Sequence, residues 1–319
     1  MTKKSLLCLL LCLILAAGAA GCGVPAAAPE DGRLQVVCTL FPYYDFVRQI
    51  GGEDVDVSLL ISAGREVHSF EPTPLDAIRL SRADVFICNG GESEAWVKEL
   101  LSAAGEKIGT VLVMMDCADL LAEEIQEGMQ VREEHGEDED EEEVEYDEHI
   151  WTSPVAAAQL CRAIAHALAE ADPAHAEAYQ HRLDDYLTEL NALDADFRQA
   201  VAEGRRTVLI FGDRFPLLYF CRTYGLDYRA AFHGCSGDTE PGLGTLKYLI
   251  DKVRDEGIPV VYTIELSSRK IARAIADTTG ARVLTFQSCQ TVSRSDFDGG
   301  ATYLSLMRQN LAALKEGLQ

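Results

Sequence analysis

Basic residues are scarce in this chain: 28 Lys and Arg stand against 52 Asp and Glu, a formal net charge of −24 at pH 7. With no basic patch to set against that excess, nucleic-acid binding through phosphate neutralisation is excluded. The chain has no CxxC pair, no HExxH and no nucleophile elbow, so the short signatures of dithiol redox, zincin and α/β-hydrolase chemistry are missing. Histidine is also rare, seven in 319 residues, which gives weight to each one that stands at a strand end. The ten cysteines are widely spaced and do not describe a disulfide-dense scaffold, which a chain of this length does not need to bury its cores. Cys38, Cys88 and Cys161 sit in apolar runs and read as small core residues. Cys235 and Cys289 each follow a Gly or Ser in loop-like sequence, where they can pair with each other after export.

One long apolar run exists, at the start. Lys3 and Lys4 precede LLCLLLCLILAA, closed by Ala19-Ala20-Gly21-Cys22. A basic n-region, a short apolar core and small residues before the cut make residues 1–21 an export signal, too short for a membrane span. The tetrad Ala19-Ala20-Gly21-Cys22 resembles the bacterial lipoprotein processing site, with Ala19 where Leu is usual, and implies a lipid on Cys22. Residues 22–33 then read as a tether between the lipid anchor and the first fold element.

The stretch 173–203 predicts a helix. Tyr179, Leu183, Tyr186, Leu187, Leu190, Leu193, Phe197 and Val201 recur three and four apart, with Glu177, Arg182, Asp185, Glu189 and Arg198 opposite. Asp172-Pro173 supplies a cap and a first-turn proline, and Gly204 ends it. At 1.5 Å per residue the rod spans roughly 46 Å, and it holds no strict heptad for a coiled coil. Buried strands are predicted at 34–40, 55–61, 84–90 and 110–115 before it, and at 206–211, 227–232, 258–264 and 281–286 after it. The expected fold is therefore α/β: two lobes, each a mainly parallel four-stranded sheet flanked by helices, joined by one long rigid helix. The expected boundaries are 34–171 for the first lobe, 172–204 for the helix and 205–319 for the second lobe.

In such sheets ligands gather beyond the carboxyl ends of the strands. His68 stands there, in GREVHSFEPTPLDAIRL, ahead of a Thr73-Pro74 helix start. Residues 122–148 hold fifteen acidic residues with Arg132 the only base, supplying −14 of the net charge, and read as a solvated, disordered loop. Its carboxylates raise the local cation concentration, and His135 adds one nitrogen donor. The tract ends at His149-Ile150-Trp151, directly before a Ser153-Pro154 helix start, so His149 is expected to be held rigidly beside it.

EYDEHIWTSP resembles the DPHxWxxP signature of the metal-binding lipoproteins that serve zinc and manganese ABC importers, with Glu148 where Pro is usual. GREVHSFEPTPLDAIRLSRADVFICNGGESEAW is similar to their first-ligand block, including a Glu94 and Trp96 pair. The resemblance continues through ADPAHAEAYQHRLDDYLTELNALD, YFCRTYGLDY and ATYLSLMRQNLAALKEGL, and so covers the mature chain. It implies one metal ion held between the lobes, with His68 and His149 as ligands. The acidic loop corresponds to the histidine-rich loop of zinc-handling members. The position of the third ligand falls on Arg214, which cannot coordinate a metal. Either the ligand has moved to Asp213, or Arg214 neutralises a nearby carboxylate and the protein supplies fewer donors. The fourth position faces Gln287-Ser288-Cys289-Gln290-Thr291, which has no Asp; Cys289, Cys235, His233, Glu240 and Glu265 remain open, and Cys289 is carried forward with Asp213 as the candidate set.

The resulting expectation is a monomeric, extracytoplasmic, lipid-anchored solute-binding protein that carries Zn2+, or alternatively Mn2+, to an ABC permease with a cytoplasmic ATPase. Imidazole donors and the Irving–Williams order favour zinc. The alternatives are a zinc-dependent hydrolase with Glu148 as general base, which lacks any supporting motif, and a surface adhesin or structural lipoprotein.

Overall fold

The computed structural model describes residues 32–105, 108–129, 144–234 and 240–319. The export signal, Cys22, His135 and Cys235 lie outside the described residues. Two four-stranded sheets form, both with every paired strand parallel, as the apolar runs predict. The first contains β1 (Leu34–Cys38), β2 (Val55–Leu59), β3 (Val85–Cys88) and β4 (Thr110–Val113), in the order β2-β1-β3-β4. The second contains β5 (Val208–Phe215), β6 (Asp227–His233), β7 (Val260–Thr263) and β8 (Arg282–Thr285), in the order β6-β5-β7-β8. Chain direction reverses across the sheet between β1 and β3 and again between β5 and β7, which places a crevice at each of those strand ends.

The helices are α1 (Phe41–Gly51), α2 (Pro74–Leu80), α3 (Val97–Ala104), α4 (Pro154–Ala171), α5 (Ala176–Glu203), α6 (Leu218–Tyr224), α7 (Leu243–Asp255), α8 (Lys270–Thr279), α9 (Arg294–Asp298) and α10 (Tyr303–Gly317). The linking helix α5 has 28 residues, roughly 42 Å at 1.5 Å per residue, and starts later than Asp172-Pro173 predicts. Asp172 instead closes α4 in a non-helical conformation, which the following proline favours. Its carboxylate accepts hydrogen bonds from Tyr179 Oη (2.9 Å) and His175 Nδ1 (2.6 Å), fixing the corner between the two helices. Arg182 clamps α5 to the first lobe through Gly51 O (2.9 Å) and the Asp54 carboxylate. Glu189 pairs with Arg308 of α10 at 3.1 Å.

The apolar core does not break between the sheets. Val36 and Phe86 of the first sheet, Phe211 and Tyr262 of the second, and Ile164, Leu190 and Leu314 of the helices belong to one continuous cluster. A smaller cluster, including Phe232, Leu249 and Ile275, fills the space between the second sheet and α7 and α8. Residues Leu34–Gln319 accordingly form one compact unit.

Two local expectations are corrected. The strand expected to end at 211 runs further: β5 continues through Asp213 and Arg214 to Phe215, with a register shift between Phe211 and Arg214. Residues 130–143 of the acidic stretch lie outside the described residues; its two described ends, 122–129 and 144–148, are not solvated throughout, because they are pinned. Ala122 bridges Tyr146, Glu123 N donates to Glu145 O (2.9 Å), and Asp147 N donates to Leu121 O (2.9 Å). Its carboxylates also find donors in the second lobe. Glu123 accepts from Gly234 N (3.1 Å) and faces His233 Nδ1 (2.9 Å), Glu124 pairs with Arg222, and Tyr248 Oη donates to Glu127 (3.1 Å). A charged segment packs where each charge meets a partner.

Asp45 of α1 is fully buried and accepts from Tyr303 N (2.8 Å) at the start of α10, tying the two lobes through a helix N-terminus. Replacing it with Ala leaves that amide buried without an acceptor. We expect Asp45→Ala to lower the unfolding free energy by about 1–3 kcal/mol. Urea denaturation should show a lower midpoint with an unchanged slope.

Candidate metal site between the sheets

His68 is presented by the loop after β2. Val67 and Phe70 are buried on either side of it, Phe70 packing edge-on against Trp96 at 4.9 Å, so the loop is anchored while the imidazole stays near the cleft. The loop then enters α2, where the Asp76 carboxylate accepts from Thr73 N (2.9 Å) and Thr73 Oγ1 (2.7 Å). Ser93 Oγ lies 3.2 Å from His68 Nδ1, which leaves Nε2 as the donor available to a ligand. Burial first, and then the charges of His149 and Arg214, push the pKa of His68 down to about 4, against a smaller opposing effect of Glu66. The ring is therefore neutral at neutral pH, the form in which imidazole binds a metal.

His149 is held from below. Its backbone N donates to Asp147 Oδ1 (2.8 Å), and its Nδ1 lies 3.1 Å from the same oxygen. A carboxylate at Nδ1 selects the Nδ1–H tautomer and turns the Nε2 lone pair outward. His149 is 1% exposed, and its Nε2 is a buried polar atom without a hydrogen-bond partner among the described residues. Burial opposes the charged ring, but Asp147, with Glu148 and Glu123, outweighs it and raises the pKa. The acidic field that favours a proton on this ring favours a metal cation there as well.

The segment around His149 is locked to both lobes. Tyr219 Oη of α6 donates to Asp147 O (2.9 Å) and accepts from Leu121 N (3.0 Å). Trp151, fully buried, donates from Nε1 to Ser288 O (2.8 Å), and its own carbonyl accepts from Tyr303 Oη (2.8 Å). Ser153 caps α4 by accepting from Ala156 N (3.1 Å). The Glu148 carboxylate accepts from Ser93 N (3.1 Å) and so couples the two histidine segments. A side chain at Gly91 would set its Cβ 2.3 Å from that carboxylate, and Gly91 also has φ +81°, so glycine is required there. Glu94 accepts from Asn89 N (2.7 Å) and Gly90 N (3.0 Å), holding the Asn-Gly turn; burial dominates and raises its pKa to about 7.

His68 and His149 line one narrow cleft with Glu66, Arg214, Gly234, Glu265 and Gln290, and its inner cavity of about 10 Å³ takes a single water-sized occupant. Gly234 permits the approach, since a Cβ there would lie 3.0 Å from His149 Cε1. Arg214 faces Glu66 across the cleft, Nη2 to Oε2 at 3.1 Å. The Glu265 carboxylate is fastened to the loop after β8 by Ser288 N (2.7 Å).

Asp213 and Cys289 are not among the residues lining this cleft. Asp213 accepts from Arg214 N (2.9 Å) and Ile264 N (3.4 Å), and burial raises its pKa. Cys289 is fully buried in the main core at φ +62°, and burial pushes its thiol well above the ordinary range, which disfavours the thiolate a metal needs. Its neighbour Gln290 reaches the cleft instead. Among the described residues no three His, Cys, Asp or Glu side chains are already arranged around a metal position. Glu66 escaped the sequence reading; its signal was its place two residues before His68 in the same strand-end loop.

Residues 36–317 match the ZnuA family, described as zinc-uptake complex component A periplasmic. The high-affinity zinc uptake system protein ZnuA of Bacillus subtilis strain 168 is 30% identical over 317 residues, which cover 96% of this chain and 95% of that protein. The zinc-binding lipoprotein AdcA of Streptococcus pneumoniae TIGR4 is 29% identical over 287 residues; these cover 90% of this chain and 56% of AdcA, so this chain spans about half the length of that relative. The crystal structure of the Zn(II)-bound ZnuA-like domain of Streptococcus pneumoniae AdcA matches with a TM-score of 0.72 at 27% identity, covering 90% of this chain and 99% of that domain. The chain belongs to the ZnuA family, the zinc-uptake complex component A proteins.

Proposed function

We propose that this protein is an extracytoplasmic solute-binding protein that captures Zn2+, with Mn2+ as the weaker competitor, through His68 and His149 and delivers it to an ABC permease driven by a cytoplasmic ATPase. The observation that carries the proposal is the buried, unpartnered Nε2 of His149 beside His68 in a cleft sized for a small occupant. A buried nitrogen lone pair without a partner is costly unless something fills it. Two imidazole nitrogens suit zinc better than a hard cation, and zinc stands above manganese in intrinsic affinity. The Asp147 contact at Nδ1 is the outer-shell arrangement that orients a metal-binding histidine. A lipid on Cys22 would keep the protein at the outer face of the membrane next to its permease. Asp213 and Cys289 remain the lower-ranked donors, because each would have to leave a buried setting to reach the ion.

Isothermal titration of the metal-free protein should give one tightly bound Zn2+. His68→Ala and His149→Ala should each weaken it by well beyond the roughly 10–100-fold that loss of an outer partner costs. Unchanged affinity in both variants would remove the site.

Asp147 generates a separate expectation. Asp147→Ala keeps both ligands but frees the His149 ring to rotate, and zinc affinity should fall by roughly 10–100-fold. Competition against a chromogenic chelator measures this, with a thermal melt to confirm that the variant is folded.

A further inference from the structure

The proposed site has two nitrogen donors and no third donor already in place among the described residues. Two carboxylates line the cleft. Glu265 is held at 2.7 Å by Ser288 N and again by Ser288 Oγ, so it is fixed to its own lobe. Glu66 is different. Its side chain is 44% exposed, it stands two residues before His68 in an anchored loop, and its partner lies on the opposite wall. Arg214 Nη2 is 3.1 Å from Oε2 and Nη1 is 3.5 Å from Oε1, a fork set on a carboxylate. Arg214 is 19% exposed, so the carboxylate end of the pair is the one open to an incoming ion.

We propose, resting on the zinc-binding reading above, that Glu66 is the third metal donor and that Arg214 is its resting partner, so that metal and guanidinium compete for one carboxylate. In the metal-free cleft Glu66 lies on Arg214. On capture the two N–H···O contacts break and one carboxylate oxygen bonds the ion beside His68 and His149; no electron changes place. The exchange gives Arg214 a carboxylate on the opposite wall while the cleft is empty and lowers net affinity by the strength of the pair. It also makes Arg214 a specificity-determining residue, since only an ion that binds carboxylate oxygen strongly displaces it. A soft monovalent ion that prefers sulfur or nitrogen donors gains little from that oxygen and leaves the pair closed.

The test measures Zn2+ affinity of the full chain by chelator competition, and zinc K-edge absorption, for the wild type and for Glu66→Gln, Arg214→Lys, the double variant, Glu265→Gln and His149→Ala. Lysine keeps the charge of Arg214 and gives up its fork. We expect E66Q to weaken zinc about tenfold or more, the lower end of what loss of even an outer partner costs, and to lose a carboxylate oxygen from the absorption spectrum. R214K should bind zinc more tightly than wild type, and its gain should vanish in the E66Q background. Wild-type affinity in E66Q, or a loss carried by E265Q in its place, overturns the assignment. Weak E66Q with an unaltered R214K overturns the competition. If H149A itself binds like wild type, the zinc site falls and not merely its third donor.

Discussion

Burial of the segment from Asp147 to Trp151 at the seam between the two sheets is the constraint on which the site depends. Trp151 donates to Ser288 O in the second lobe, accepts from Tyr303 at the start of α10, and packs edge-on against Tyr43 of α1. Tyr219 seals the other side through Asp147 O and Leu121 N. With Asp45 capping α10 from below, the lobes share one core, and the cleft above them has walls that cannot separate without exposing it. This bears on the size of the ligand. The linking helix α5 contains neither proline nor glycine and is clamped to both halves, so wide hinge closure over a large solute is disfavoured.

A site of this kind carries a stability cost. His149 Nε2 is removed from water and left without a partner, and Glu94 keeps one carboxylate oxygen in the same condition. Native proteins tolerate such atoms where function requires them. Here the cost is offset by the surrounding hydrogen bonds: Asp147 on His149, Ser93 on His68, and Glu148 on the backbone of Ser93. Both rings are thereby held in one orientation by their neighbours, so any ligand they took would cost them little conformational entropy.

The second lobe brings a cation where a donor would serve a metal better. Arg214 lies at the end of β5, at the point where strand order reverses, and its charge opposes any incoming dication. Glu66 faces it from the first lobe and compensates that charge. The acidic stem of the 122–148 stretch adds to the same field, because Glu123 stands against His233 and Gly234 at the cleft's edge. Local electrostatics are therefore mixed where the chain as a whole is strongly acidic.

Much of the fold was legible because its signals are local. Continuous apolar runs specified eight parallel strands, although β4 and β8 are only partly buried; three- and four-residue spacing specified α5, and Ser153-Pro154 and Thr73-Pro74 marked helix starts, since each depends on neighbours a few residues apart. That His68 and His149 stand at strand-end loops facing one cleft was legible for the same reason, each standing in a short segment with its own anchors. What sequence could not decide was which side chains from distant strand ends meet. Whether Cys289 or Gln290 faces the cleft turns on one left-handed residue, and whether Asp213 or Arg214 does turns on a register shift within β5. The pinning of the acidic stem depended on donors about a hundred residues away, such as Arg222 and His233, and the pairing of Glu66 with Arg214 joins residues 148 positions apart. Such contacts are set by how two sheets dock on a shared core, and no local periodicity encodes that.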